Sequence, residues 1–132
     1  MSTPQPEVWQ RGPVEGFDPL VMPVVHAFVQ VQEDLRALAG AVEPKHVWAR
    51  AGGAASIAFH VRHIAGATDR LLTYARGDAL DEAQKVAMRA EGDEAEPRPA
   101  LAALVEATVT SLDRALAQVK GTTAAGLLVD RR

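Results

Sequence analysis

Residues 48–77 read WARAGGAASIAFHVRHIAGATDRLLTYARG, and this stretch decides the fold. Two glycines, Gly52 and Gly53, close a loop, and apolar residues then recur every three or four positions from about residue 54 to residue 76, before Gly77. This period predicts an amphipathic helix. Its predicted inward face consists of Ile57, Val61, Ile64, Thr68, Leu71, Leu72 and Ala75, and its predicted outward face of Arg62, Asp69, Thr73 and Arg76.

Two further long helices are predicted on either side of this one. The first begins at about residue 18 or 20 and ends near residue 38, with Asp18 as its N-cap and Gly40 after its end. The last runs from about residue 99 to Gly121. A short helix is predicted over residues 81–91, opened by a capping box. Long amphipathic helices with short connectors indicate an all-α bundle.

The N-terminal segment differs from the rest of the chain in composition. Residues 1–19 contain four prolines, which prevent a regular helix or strand. We expect this segment to be an extended, ordered arm that docks on the core through Val8, Trp9 and Phe17. The arm and the helices together form a single predicted domain over residues 1–132, since domains commonly have 100–200 residues.

Composition excludes several classes of function. The chain has 14 basic and 17 acidic side chains and a net charge of -3, so it lacks the basic surplus of a nucleic-acid-binding protein. Absence of cysteine excludes disulfides and thiolate sites. No apolar run approaches the roughly 18 residues of a membrane span. Because the sequence also opens without a secretory signal, we expect a cytoplasmic protein that engages neither membranes nor nucleic acid.

The candidate chemistry centres on His60 and His63. Three residues apart on a helix, they project from one side, at the boundary between the apolar and polar faces. Arg70 and Tyr74 lie along the same boundary. Such histidines can bind a metal when a neighbouring helix supplies further ligands. They can equally be half-buried structural residues, since this spacing is less specific than a His-Glu-x-x-His motif.

Other polar positions are predicted to have no part in a functional site. Gln32, near the apolar edge of the first helix, could cap a buried network or mark the border of the apolar stripe, and we expect the border. The acidic stretch at residues 91–96 lacks the ligand alternation of a calcium loop and is predicted to be a solvated linker. Solvated positions are also predicted for His26, His46, Arg62 and Asp69.

Three segments together resemble a known family. Residues 48–77 are similar to the second-helix signature of the DinB/YfiT-like metalloenzymes. The opening PEVWQRGPVEGFDPLVMPVVHAFVQ, residues 6–30, and ALDEAQKVAMRAEGD, residues 79–93, resemble the first helix and the short third helix of one branch of that family. The resemblance therefore covers nearly the whole chain.

The resemblance implies a DinB-like four-helix bundle with up-down-down-up connectivity, commonly a homodimer. It also implies a divalent metal, zinc or nickel, held by three histidines, one of which matches His63 in HIAG. The other two belong to a His-x-x-x-His pattern on the family's last helix. No histidine follows His63, and LLVDRR stands about where that helix would begin. We therefore expect the last helix to be truncated or missing and the metal site to be incomplete.

Two functions are compatible with these observations. The resemblance implies a metal-dependent hydrolase or thiol transferase without an organic cofactor. His63 would bind the metal, His60 would be a second ligand or would support the first, and the metal would lower the pKa of a bound water or thiol. Arg70 or Tyr74 would orient an unidentified small-molecule substrate. The alternative is a non-catalytic helical module that dimerises or binds a ligand in an apolar groove.

Overall fold

The computed structural model describes residues 3–94 and 96–131, whose regular secondary structure is helical, with no β-strand among them. The described residues form six α-helices, which confirms the predicted all-α, DinB-like bundle. None of these helices is both long enough and apolar enough to cross a membrane. The helices are α1 (Met22–Ala41), α2 (Pro44–Val47), α3 (Ile57–Ala75), α4 (Glu82–Ala90), α5 (Leu101–Lys120) and α6 (Ala124–Leu127).

Helix α5 is the centre of the bundle, because it packs against α1 and against α3. The larger apolar cluster joins α5 to α1, α2 and α3 around Val61 and Val105. A smaller cluster joins Val119 of α5 to Val25 of α1 and to Phe17 of the arm. Eight residues of α5 are buried: Leu101, Leu104, Val105, Thr108, Val109, Leu112, Ala115 and Val119.

The helix ends follow from local hydrogen bonds. Helix α3 begins at Ile57 because the Ser56 hydroxyl caps it, accepting from the Phe59 backbone N–H at 3.1 Å. The predicted capping box of α4 is confirmed by two bonds between Asp81 and Gln84, at 2.7 and 3.0 Å. Gly40 was predicted to follow the end of α1, but it lies inside the last turn of this helix.

The N-terminal arm docks through two of its three predicted anchors. Val8 is buried, and its backbone N–H donates to the Gln30 side chain at 2.9 Å. Phe17 packs on the smaller cluster. Trp9, in contrast, is 61 % exposed and donates its indole N–H to Glu7. The prediction that Trp9 docks on the core is therefore wrong.

The helical period misplaces three residues of α3, and one of them is Ala75, which was predicted to face inward but is exposed. Leu71, predicted to face inward, is 65 % exposed, whereas Thr73, predicted to face outward, is buried. Thr73 is buried because α4 packs on α3 and covers it. The Thr73 hydroxyl donates to the Asp69 carbonyl at 2.9 Å and accepts from Gln84 of α4 at 2.7 Å.

Gln32 is another polar residue that the sequence pattern misplaces. It does not mark the border of an apolar stripe but is buried between α1 and α5. Its side-chain amide donates to the Val109 carbonyl at 3.1 Å and to the Asp113 carboxylate at 2.7 Å. These bonds satisfy the amide N–H groups that the core would otherwise leave unpaired.

Candidate functional site

A buried carboxylate links two basic side chains of α3. Glu91 immediately follows α4, and its carboxylate lies against α3. One carboxylate oxygen accepts from His63 Nδ1 at 2.8 Å, and the other accepts from Arg70 Nη1 at 2.5 Å. His63 and Arg70 are seven residues apart, which places them on one face of the helix. We call His63, Arg70 and Glu91 the carboxylate cluster.

Gly66 provides the space for this carboxylate. It lies in α3 between the two basic residues, one turn from each. A Cβ atom at position 66 would overlap a carboxylate oxygen of Glu91 and come within 2.8 Å of Arg70 Nη1. The absence of a side chain at Gly66 therefore lets Glu91 reach across α3.

The two basic side chains of the cluster favour the ionised form of the Glu91 carboxylate. Burial of Glu91, which is 9 % exposed, acts to raise its pKa. Hydrogen bonds from Arg70 and His63 act in the opposite direction and outweigh burial, so the pKa of Glu91 lies below its ordinary value. An ionised carboxylate can only accept hydrogen bonds, and His63 Nδ1 is therefore the protonated nitrogen of this pair.

The ring of His63 is held on its other side by Phe59. The two rings stack with a centroid distance of 5.6 Å and an angle of 9° between their planes. The His63 side chain is 48 % exposed. Its Nε2 atom makes no hydrogen bond with any residue in the described ranges, so this nitrogen is available to a ligand.

The connector between α4 and α5 is fixed in place near this cluster. The Arg62 guanidinium donates to the Asp93 carbonyl at 2.7 Å and lies over the Trp48 ring at 5.0 Å. The Trp48 indole N–H donates to the Pro99 carbonyl at 3.2 Å. The prediction of a solvated linker is therefore wrong for Glu91, and Arg62, which was predicted to be solvated, contacts the connector.

The structure separates the four site residues predicted from sequence. His63 and Arg70 meet at Glu91. His60 is exposed and contacts the edge of the Phe59 ring at 5.5 Å. Tyr74 is 52 % exposed and lies three turns beyond His63, about 16 Å along the helix axis. Their proposed contacts with a metal or a substrate stay predictions.

The described residues do not supply a complete set of ligands for the metal that the resemblance implies. Within residues 3–94 and 96–131, no group of three or more His, Cys, Asp or Glu side chains is placed to hold a metal ion. Both oxygens of Glu91 are already hydrogen-bonded. The described residues therefore do not fit a three-histidine centre, although His63 could supply one donor atom.

Comparison with known proteins identifies the family. The model of the DinB superfamily matches residues 27–131, most of the chain. The chain belongs to the DinB superfamily. The matched range includes all three residues of the carboxylate cluster. No curated protein and no solved structure matches this DinB-superfamily sequence.

Three important residues were not predicted from the sequence of this DinB-superfamily chain. Glu91 was assigned to a linker, and Phe59 and Gly66 were not assigned any role. One sequence feature could have indicated the contact: a glycine inside a long helix costs stability relative to alanine and is usually present for close packing. Gly66 lies between two basic residues on one face, which is the place where a carboxylate would pack.

We predict opposite effects for two glycine-to-alanine substitutions inside helices. Gly66→Ala should lower the free energy of unfolding by about 1–3 kcal/mol, because it displaces a buried, hydrogen-bonded carboxylate. Gly40→Ala, with no atom within 4 Å of the new Cβ, should raise it by about 0.5–1 kcal/mol through helix propensity. Urea denaturation measures both. Equal stabilisation by the two substitutions would show that Glu91 does not need the space at position 66.

We also predict a pH-dependent contribution from Glu91. Its pKa is lower in the folded than in the unfolded state, so its stabilisation is complete above the unfolded value of about 4.5. The contribution is lost as the pH falls from there through the lower folded pKa. Glu91→Gln should therefore flatten the fall in unfolding free energy measured by urea titrations below pH 4.5.

Glu33 provides the matched control for this pH experiment. Its pKa is also lowered, by the hydrogen bond from Arg11, but its side chain is 38 % exposed and solvent screens the pair. Glu33→Gln should change the pH dependence of the unfolding free energy less than Glu91→Gln does. If the unfolding free energy of Glu91→Gln falls with pH as steeply as that of the unsubstituted protein, the role assigned to the buried carboxylate is contradicted.

Proposed function

We propose that this DinB-superfamily chain binds a small protic molecule, such as water or a thiol, at His63 and uses the imidazole as a proton acceptor. The observation that supports this proposal is the 2.8 Å hydrogen bond between His63 Nδ1 and Glu91. With Nδ1 as the donor, the neutral imidazole carries its lone pair on Nε2. The His63 side chain is 48 % exposed, so a ligand can reach the ring.

The neighbouring residues suit this role. A hydroxyl, thiol or water at Nε2 would donate a hydrogen bond to the lone pair. If the proton moves to Nε2, the imidazole becomes positively charged, and the ionised Glu91 carboxylate beside Nδ1 stabilises that charge. Arg70 holds the second oxygen of Glu91 and so acts as a positioning residue. Stacking on Phe59 restricts rotation of the ring.

A second candidate function is the metal-dependent hydrolase or thiol-transferase chemistry that family resemblance implies. Metal-binding histidines commonly donate their other ring N–H to a carboxylate, as His63 does to Glu91. His63 and His60 supply at most two donors, whereas zinc sites use three or four protein ligands. We therefore propose His63 as one donor to zinc or nickel and derive no metal-dependent step.

The protonation state of His63 and its affinity for zinc test these two functions. Nitrogen-detected NMR at pH 8 should find the proton on Nδ1 in the unsubstituted protein and a mixture of tautomers in Glu91→Gln. Added Zn²⁺ should perturb His63 first, and Glu91→Gln should weaken this binding roughly 10–100-fold, the usual effect of removing a carboxylate behind a histidine ligand.

His46 supplies the control for the same experiment, because its side chain is 60 % exposed and lies on the separate helix α2. His46→Ala should leave the response of His63 to zinc unchanged. A proton on Nε2 of His63 in the unsubstituted protein would refute the first proposal. Zinc binding that is lost in His46→Ala and kept in His63→Ala would refute the second.

We also propose that the chain forms a homodimer through the exposed face of α3. Leu71 and Tyr74 lie three residues apart on that face and are 65 % and 52 % exposed. Two-fold symmetric pairing of such a face would bury both side chains against their copies. The resemblance to a commonly dimeric family supports the same assembly.

Light scattering coupled to size exclusion tests this assembly. We expect a dimer that Leu71→Lys converts to a monomer, because a charge would be buried in the interface. Leu20→Lys is the matched control, since Leu20 is equally exposed, at 64 %, but precedes α1. A monomeric unsubstituted protein at high concentration, or a dimer that survives Leu71→Lys, would contradict the proposal.

A further inference from the structure

We propose that the groove between α3 and α5 binds a small organic anion with an apolar body, its negative head between Arg76 and Arg114. This inference goes beyond the role assigned to His63 and does not require that residue. It is carried by the shape of the groove, by the guanidinium groups of Arg76 and Arg114 on its facing walls, and by the unused donors of Arg114.

The groove is continuous along the bundle. One cavity of about 580 Å³ lies between α3, α4 and α5, and a second of about 220 Å³ lies between α3 and α5. The two cavities share Asp69, Ser111 and Arg114 as lining residues, so they adjoin. Their size suits a small organic ligand, since such sites usually measure 300–1,000 Å³.

The end of the groove formed by the smaller cavity is lined by two guanidinium groups. Arg76 contributes a guanidinium near the end of α3, and Arg114 contributes one from α5. The Arg76 group is held in place by the Gln118 side chain at 2.5 Å and by Asp78 at 3.1 Å. Arg114 makes no hydrogen bond or ion pair with any described residue. A guanidinium with unused donors binds a carboxylate or phosphate well.

The acidic residue at this end does not cancel the positive charge. Asp69 lines both cavities, but its carboxylate accepts a hydrogen bond from the Gln84 side chain at 2.7 Å. Arg76 is paired with Asp78 and Asp69 is hydrogen-bonded to Gln84, so the Arg114 guanidinium is the group at this end whose donors are unused among the described residues. The Ser111 hydroxyl lines the same end and can donate to an anion.

The larger cavity accommodates the apolar part of the ligand. Much of its wall consists of alanine, glycine and one leucine, which leave room for an alkyl chain. At the far end, Glu91 is already paired with Arg70, and the Arg62 guanidinium already donates to the Asp93 carbonyl, so this end offers an anionic head less than Arg114 does. The head is thus directed toward Arg114 and the body toward α4. The apolar lining residues are Ala65, Gly66, Ala87, Ala90, Leu104 and Ala107.

Calorimetric titration with octanoate tests the proposal. Octanoate should bind saturably with a 1:1 stoichiometry, and Arg114→Gln should weaken it at least tenfold. Arg89→Gln is the matched control: Arg89 lies on α4, is exposed, has no hydrogen bond or ion pair in the described ranges and does not line the groove. It should leave octanoate affinity unchanged.

Two further measurements separate the head from the body of the ligand. Ala107→Leu fills the groove from α5 without adding charge and should abolish octanoate binding, while circular dichroism and urea denaturation confirm that the variant is folded. Inorganic phosphate, which has a head but no body, should bind at least tenfold more weakly than octanoate. The proposal is overturned if octanoate does not saturate, if Arg114→Gln binds it as tightly as Arg89→Gln does, or if phosphate binds as tightly as octanoate.

Discussion

The ion pair between Glu91 and Arg70 is the interaction on which the described site depends. Removing a carboxylate from water costs several kcal/mol unless nearby donors replace the lost hydration. Here Arg70 and His63 each occupy one oxygen, and no buried side-chain nitrogen or oxygen in the described part of the chain is left without a partner. The placement of α4, the orientation of His63 and the space at Gly66 all follow from satisfying this one charge.

The Glu91 carboxylate also distinguishes the two ring nitrogens of His63. An exposed histidine can carry its proton on either ring nitrogen, and neither choice favours a particular ligand. A buried carboxylate beside Nδ1 favours the proton on that nitrogen, and Nε2 of the neutral ring is then the acceptor. Family membership supplies the fold and a related set of proteins, while this hydrogen bond supplies the observation from which a role for His63 can be argued.

Local features of the fold were predictable from the sequence, whereas its long-range polar contacts were not. The apolar period located the three long helices, and the capping box at Asp81 located α4, because both are set by neighbouring residues. The position of α4 on α3 is a tertiary property. It buried Thr73, which was predicted to face outward, and brought Glu91 from an acidic linker sequence to His63. His63 and Arg70 were identified from their shared helix face, but their common partner lies 21 to 28 residues away.

The central position of α5 has a consequence for how the bundle comes apart. Both apolar clusters include α5 residues, Val105 in one and Val119 in the other. Neither α1 nor α3 can keep its apolar face covered once α5 has left, so these helices should lose structure together in one cooperative transition. Intermediates that retain α1 and α3 but not α5 would leave the apolar faces of both helices exposed to water.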